Sequence, residues 1–174
     1  MCPQKSKLLL ENYFTTDLNC QANVNFDPKK GGNLGLDNLT IESNVLAGKS
    51  KDDGWQVTLK VFHQATETLN TPYSFRIELV GFFKVEGSYP PEKAEWLVKT
   101  NASSILYSVA RESLRRVMQD GPWMSILLPT VSFYTDDIKA ELKKIKDSIV
   151  TVVDASGKAT RAFSSVNDTI NMYI

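Results

Sequence analysis

One run of alternating residues limits the possible folds of this chain more than any other feature. Between positions 73 and 85 every second residue is apolar or glycine: Tyr73, Phe75, Ile77, Leu79, Gly81, Phe83 and Val85. A period of two over such a length is typical of a β-strand with one buried face. The residues of the other face change from polar to apolar along the strand: Ser74, Arg76 and Glu78, then Val80 and Phe82. One end of this strand is therefore apolar on both faces, so a helix or another chain must cover it.

Three earlier stretches also predict β-strands, because apolar residues alternate with polar ones at positions 18–26, 39–45 and 55–61. Loops rich in glycine, proline and charged residues separate them, beginning at Asp27-Pro28 and at Gly48-Lys49. Such residues break regular structure because proline lacks a backbone donor and glycine tolerates positive φ. Together with the long run, these stretches predict four strands.

The second half of the sequence is predicted to contain helices. The stretch Pro90-Pro91-Glu92-Lys93 resembles the start of a short helix, with proline in its first turn. The main helix is predicted from about Ile105 to Gln119, where apolar residues recur at three- and four-residue steps. Either Ser103 or Ser104 is expected to cap this main helix at its N-terminus.

Residues 123–133 form an apolar but irregular stretch, which we call the apolar segment. Pro129 argues against a central strand there, because proline cannot donate to a strand ladder. An extended loop lying over a hydrophobic surface fits this composition better. Beyond the segment, Asp136-Asp137 opens a predicted amphipathic helix, and residues 149–153 predict a strand. We therefore assign residues 1–134 to one domain and residues 135–174 to a C-terminal extension of the same domain.

The overall composition is that of an ordinary globular chain, whose 174 residues suit one domain. Its 20 basic and 20 acidic residues leave a formal net charge of zero, which argues against a dedicated nucleic-acid binder. No apolar run approaches the ~20 residues of a membrane helix, and Leu8-Leu9-Leu10 is too short for the core of a signal peptide. We therefore expect a cytoplasmic protein with no membrane insertion, in which Cys2 and Cys20 are reduced thiols.

The sequence holds no recognisable catalytic or cofactor-binding pattern. His63 is the only histidine and is expected to be packed in its strand, since no triad or metal-ligand spacing surrounds it. We expect neither an enzyme nor a bound cofactor or metal. What the sequence has in excess is apolar surface, more than four strands and one main helix cover easily. This excess predicts an oligomer, a binder of apolar segments, or both.

The order of these segments resembles the SecB family of bacterial export chaperones. The matching stretches are residues 55–61 in the third strand, 81–87 in the fourth, 104–112 in the main helix, and 121–123 with 127–133 after it. The resemblance covers roughly residues 13–134. It implies an α+β fold with a four-stranded antiparallel sheet, a long main helix and a C-terminal helix. It also implies a homotetramer built as a dimer of dimers.

The function implied by the resemblance is the ATP-independent holding of non-native polypeptides in long apolar grooves. The positions that match the family's groove are Leu39, Ile41, Tyr73, Phe75 and Phe133, to which the apolar segment adds Ile126 and Leu128. Each of these residues could equally belong to the core or to a subunit interface. The candidates for joining the dimers lie on the main helix: Leu106, Val109, Ala110 and Ser113.

The chain also departs from the family at the carboxylates that dock on the export motor SecA. Asp17 matches one of these acids, but Gln21 stands where another is expected. Arg76 falls on a family glutamate in an ungapped alignment, and a shift of two residues would place Glu78 there instead. Asp17 and Glu78 are thus the candidate docking residues, while the neutral net charge argues against SecA as a partner.

Three functional hypotheses follow. The first is a general holdase for unfolded preproteins in protein export. The second is a chaperone dedicated to one client, as in the divergent SecB-like proteins that accompany an antitoxin beside a toxin gene. The third is a small-molecule-binding α+β domain. The third hypothesis needs convergent polar groups in one pocket, for which His63, Asp17 and Arg111 are too few.

Overall fold

The computed structural model describes residues 6–30, 34–48, 54–66 and 68–133. Within them the chain forms four strands: β1 (Leu8–Ala22), β2 (Thr40–Ala47), β3 (Trp55–His63) and β4 (Tyr73–Val85). A turn of 3₁₀ helix at Leu36–Asn38 precedes β2. Two helices follow the sheet, α1 (Pro91–Leu97) and α2 (Ser103–Gln119), and a π-helical turn at Val98–Ala102 joins them. The predicted extension over residues 135–174 and Cys2 lie outside the described residues, so the domain assignment stays a prediction.

The strands form one antiparallel sheet in the order β1-β4-β3-β2. β4 occupies the whole of the long alternating run that predicted it, and it pairs with β1 on one side and β3 on the other. β2 and β3 likewise lie where the sequence predicted strands. The predicted α+β fold, with a four-stranded antiparallel sheet and one long helix, is therefore confirmed.

β1 starts well before the alternation that predicted a strand. Two register shifts against β4, between Leu10 and Asn12 and between Thr15 and Asp17, insert extra residues into it. Each shift is a β-bulge, and a bulge puts the following residues out of step with the alternation, which hides the period of two. Val24, which was predicted within the strand, lies beyond its end and is 87% exposed.

The expected serine cap of α2 is not formed. The Ser103 hydroxyl donates to the Lys99 carbonyl at 2.8 Å, and the Ser104 hydroxyl donates to the Thr100 carbonyl at 2.9 Å. Both hydroxyls point back because the preceding π-helical turn and α1 are already helical. The backbone N–H groups that a cap would satisfy at Ser103 therefore have helical partners instead.

The core lies between α2 and one face of the sheet. We call this face, which carries Ile77 and Leu79, the inner face, and the face that carries Arg76 and Glu78 the outer face. The α2 residues that are fully buried on the inner face are Leu106, Ala110, Leu114 and Met118. Gly81 permits the close approach of the helix, because a Cβ at that position would lie 2.9 Å from a methyl group of Leu106.

Candidate functional site

The apolar segment, residues 123–133, contains no helix or strand and packs along the core, as expected for an extended loop. Leu128 is its deepest residue and is 1% exposed. Ile126, Val131 and Phe133 are half-buried against the same core. The segment has no charged residue, and its exposed side chains are Met124, Leu127, Thr130 and Ser132.

The hydroxyl of Tyr73 in β4 holds the start of the apolar segment. The Trp123 backbone N–H donates to Tyr73 Oη at 3.0 Å, and Oη lies 2.7 Å from the Trp123 carbonyl and 3.2 Å from the Met118 carbonyl. A hydroxyl has one proton, so the shorter contact, to Trp123, is the main bond that it donates. Gly121 leaves room for this arrangement, because a Cβ there would lie 2.5 Å from Tyr73 Oη.

The Trp123 side chain fastens the same end of the segment to the chain that follows β1. Its indole Nε1 donates to the Asn23 carbonyl at 3.1 Å. Its ring packs edge-on against Phe26, with ring centroids 5.3 Å apart. Backbone and side chain of Trp123 are therefore both held in place.

The hydroxyl of Tyr107 in α2 holds the other end of the segment. Tyr107 donates to the Pro129 carbonyl at 2.7 Å, and its ring packs edge-on against Phe133 at a centroid distance of 5.9 Å. Burial raises the pKa of Tyr107, and the nearby charge of Arg111 opposes this in part. The phenol therefore keeps its proton at neutral pH and remains a hydrogen-bond donor.

Between these two anchors the chain presents apolar side chains to solvent. Met124 is 90% exposed and Leu127 is 71% exposed. Residues 124–128 make no backbone hydrogen bond to any other part of the chain that the structure describes. Exposed apolar side chains thus occur together with backbone groups that find no backbone partner among the described residues, on a stretch whose ends are fixed.

A second apolar surface lies on β1 at the edge of the sheet. Tyr13 and Leu18 pair with the inner-face positions Gly81 and Ile77, yet they remain 45% and 42% exposed. No strand among the described residues pairs with the free side of β1, so its backbone edge is open. Tyr13 could not be predicted on this surface from the sequence, because the bulges of β1 obscure which face it occupies.

The residues predicted to bind clients fall into two groups. Those buried by the chain itself are Leu39, Tyr73, Phe75 and Leu128, and those that are half-buried are Ile41, Ile126 and Phe133. Tyr73 and Phe75 lie in the core at 2% exposure each. In the single subunit Tyr73 and Phe75 are therefore core residues, one of the alternatives that the sequence left open. The half-buried residues pack against the core and keep part of their surface exposed.

The predicted interface residues of α2 divide in the same way. Leu106 and Ala110 are fully buried against the sheet, whereas Val109 and Ser113 are half-buried. Val117 lies one turn beyond Ser113, on the same side of the helix, and is 39% exposed. The helix surface left for another subunit is therefore the row of Val109, Ser113 and Val117.

The two candidate docking carboxylates lie side by side on the outer face, because Asp17 and Glu78 are register partners. Each one has a cation beside it. Arg76 Nε binds the carboxylate of Asp17, and Lys60 Nζ lies 3.2 Å from Glu78 Oε2. The middle of the outer face is thus charged but balanced, and these two acids are not available as an uncompensated pair.

The apolar end of the outer face, noted in the sequence, is covered in part by β1. The ring of Phe14 in β1 packs against the ring of Phe82 in β4 at a centroid distance of 5.9 Å. Val80, also in β4, is only 8% exposed. Phe14 itself remains 46% exposed. This end therefore keeps some apolar surface of its own.

His63 is a structural residue, buried at 1% exposure. Its Nδ1 lies 2.7 Å from the Asn38 carbonyl, which only accepts, so Nδ1 carries the proton. Nε2 lies 2.8 Å from the Thr71 hydroxyl and forms a hydrogen bond with it. The imidazole thus joins the 3₁₀ turn before β2 to the loop before β4.

No group of three histidine, cysteine or carboxylate side chains in the described ranges is arranged to hold a metal ion. Burial raises the pKa of the Cys20 thiol, which keeps this cysteine in its neutral form. As for membranes, the helices of the described part are all too short or too polar to cross one.

Comparison with known proteins assigns the chain to a family. The model of the family described as "Preprotein translocase subunit SecB" matches residues 6–138. Two proteins named "Protein-export protein SecB" are similar over 95 residues: that of Rhodopseudomonas palustris strain BisB5 is 26% identical and that of Bradyrhizobium diazoefficiens is 27% identical. These matches cover 55% of this chain and 60% and 58% of the relatives. The chain thus spans about three fifths of the length of the curated relatives it matches.

Among solved structures, the fold is similar to a SecB-like chaperone of Mycobacterium tuberculosis, which was solved in complex with a ChAD peptide from the HigA1 antitoxin. The TM-score is 0.57 at 13% sequence identity, and the match covers 72% of this chain and 91% of that one. At this identity the similarity concerns the fold. Since the family model matches most of the chain and the sheet and long helix agree with it, this protein belongs to the SecB family.

Proposed function

We propose that this protein is a holdase, a chaperone that binds non-native polypeptides without ATP and keeps them from aggregating. The observation that carries the proposal is the pair of exposed apolar residues, Met124 and Leu127, on a segment whose two ends are fixed by Tyr73 and Tyr107. A monomeric protein gains nothing by exposing such side chains, and exposed apolar surface of this kind usually marks a binding site.

The chemistry of this surface suits clients of many sequences. Burial of apolar area contributes about 25 cal/mol per Å², irrespective of which apolar side chain supplies it. The apolar segment has no charge with which to select a client by electrostatics. Many weak apolar contacts then add up to firm binding of a chain that stays unfolded, whereas a chain that folds quickly buries its own apolar residues first.

The proposed working form is a homotetramer in the cytoplasm, built as a dimer of dimers. The row of Val109, Ser113 and Val117 on α2 supports an interface between subunits, because it is apolar or small and stays partly exposed beside the side that packs on the sheet. Several copies of the apolar segment in one particle would hold one long client at several points. Such multivalency raises the overall affinity without any new kind of contact.

A chaperone dedicated to one partner protein is the second candidate. It is favoured by the balanced charges on the outer face, where Arg76 and Lys60 neutralise Asp17 and Glu78. A partner that recognises an uncompensated pair of carboxylates, as expected for the export motor SecA, finds none at these residues. In this version the client is a single protein, such as an antitoxin, and SecA is not bound.

The test of the holdase is aggregation of a heat-denatured enzyme, citrate synthase, followed by light scattering with no nucleotide present. We expect suppression at about one tetramer per client, and no suppression would overturn the proposal. A pull-down from the native cell distinguishes the two versions of the function. A single stoichiometric protein supports the dedicated chaperone, and a broad set of unfolded preproteins supports the export holdase.

A further inference from the structure

We infer that the hydroxyl groups of Tyr73 and Tyr107 are positioning groups that hold Met124 and Leu127 ready to contact an extended apolar stretch of client polypeptide. The inference rests on the proposed holdase function and names the contact residues and the device that fixes them. It draws on the hydrogen bonds, the exposure and the unpaired backbone of one short stretch of chain.

Each tyrosine contributes more than its ring. Both rings are almost fully buried, and each hydroxyl reaches a backbone carbonyl of the apolar segment at 2.7 Å, at Trp123 and at Pro129. A phenylalanine at either position would fill the same space and leave the carbonyl without its donor. The two bonds come from different elements, β4 and α2, so they fix the segment against both layers of the core.

Exposure along the segment follows from these anchors. Ile126 and Leu128 turn towards the core, whereas Met124 and Leu127 point into solvent, with exposures of 90% and 71%. The backbone of residues 124–128 forms no helix or strand, and it makes no backbone hydrogen bond within the described residues. These features fit one occupant, an extended polypeptide that pairs with the free backbone groups and covers the two apolar side chains.

Fixing the segment beforehand matters for affinity. A flexible loop loses conformational entropy when it orders on binding, and this loss subtracts from the free energy of binding. Tyr73 and Tyr107 order the segment while the site is still empty. Their effect should therefore appear mainly as slower dissociation of the client.

The experiment uses the full-length chain and reduced, carboxymethylated α-lactalbumin, a polypeptide that cannot fold, as a fluorescent probe. Met124→Ser with Leu127→Ser removes the contacts, and Leu46→Ser, a 52% exposed leucine of β2, is its matched control. Tyr107→Phe removes one positioning bond. Ser108→Ala is its control, because Ser108 is the next residue of α2 and its hydroxyl donates to Ser104, away from the segment.

We expect Met124→Ser with Leu127→Ser to weaken binding at least tenfold, with no change in the melting temperature. Tyr107→Phe should raise the probe's dissociation rate about three- to tenfold, the usual effect of one hydrogen bond. It should also speed amide hydrogen exchange at residues 124–128. The decisive comparison is Tyr107→Phe within the Met124→Ser, Leu127→Ser background, where its effect on dissociation should disappear.

An equal effect of Tyr107→Phe in both backgrounds would overturn the inference, since the hydroxyl would then act elsewhere. Unchanged binding after Met124→Ser with Leu127→Ser would also overturn it while leaving the holdase in place. If the unmodified protein does not bind the probe, the proposed function itself fails. Tyr73→Phe, at the other end of the segment, gives a second variant and should reproduce the behaviour of Tyr107→Phe.

Discussion

Arg76 of β4 binds the carboxylate of Asp17 across the β1–β4 pair, in the middle of the outer face of the sheet. The adjacent carboxylate, Glu78, has Lys60 of β3 as its own cation. A surface that could have been strongly acidic is thereby made neutral. We expect this relationship to prevent docking of a partner that recognises free carboxylates, and one substitution tests it.

Replacing Arg76 by glutamate should leave Asp17 without its cation and add a second carboxylate beside it, while Glu78 keeps Lys60. Because Arg76 is 62% exposed, the loss of its ion pair should lower the free energy of unfolding by no more than about 1 kcal/mol. We expect no binding of SecA by the unmodified chain in surface plasmon resonance, and measurable binding by Arg76→Glu. Arg76→Gln, which removes the cation without adding an acid, is the control. Tight binding of SecA by the unmodified chain would contradict this explanation.

The two sides of α2 should respond differently to a negative charge. Ala110→Asp places a carboxylate in the closed core, so we expect a loss of several kcal/mol of stability and failure of the subunit to fold. Val109→Asp and Val117→Asp introduce the charge at positions that stay partly exposed beside the packed side of the helix. These variants should fold and split the tetramer into dimers in analytical ultracentrifugation. A tetramer that survives both would remove this row of α2 from the interface.

The strands of the sheet show which parts of the fold can be predicted from local sequence patterns. β4 could be predicted over its full length, because one face of it is buried from end to end and its alternation is unbroken. β1 could not, since the bulges after Leu10 and Thr15 interrupt the period on which such a prediction depends. Ser103 and Ser104 have the side chains of a helix cap, but the π-helical turn before them removed the free end that a cap requires.

The candidate site was harder to predict than the fold. The alternation of apolar residues indicates that Tyr73 and Phe75 share one face of their strand. The sequence pattern of a buried face is the same whether a client, another subunit or the chain's own helix covers it. The apolar segment was recognised as a surface loop from Pro129 and its composition. Which of its residues point outwards depends on bonds from Tyr73 and Tyr107, which are distant in sequence and carry no local signal.

A charge at Phe75 and a charge at Leu18 distinguish the core from the open part of the inner face. Phe75 is 2% exposed, so Phe75→Asp should abolish cooperative thermal unfolding, at a cost above about 3 kcal/mol. Leu18 is 42% exposed, so the melting temperature of Leu18→Asp should lie within a few degrees of that of the unmodified chain. Its affinity for an unfolded client should be lower. If Phe75→Asp melts normally and loses only client binding, Phe75 belongs to the groove after all.

Glu112 on α2 should give a small pH-dependent contribution to stability. Hydrogen bonds from Arg115 and Arg116, each at 2.8 Å, lower the pKa of this carboxyl from 4.5 to about 2. A carboxyl with a depressed pKa in the folded state stabilises the protein above its ordinary pKa and loses this effect as the pH falls to about 2. We expect Glu112→Gln to lower the melting temperature slightly at pH 7 and to make a much smaller difference at pH 2, where about half of this carboxyl is protonated in the folded state. An equal difference at both pH values would show that the ion pairs are not its source.

Hydrogen exchange of the full-length chain, with and without bound reduced carboxymethylated α-lactalbumin, distinguishes client binding at the apolar segment from binding on the outer face. We expect the client to slow amide exchange at residues 124–128 and along the edge of β1 near Tyr13 and Leu18, and to leave the outer face around Arg76 unaffected. Protection confined to the outer face, or no protection in a complex shown by co-elution to have formed, would show that the apolar segment is not the client site.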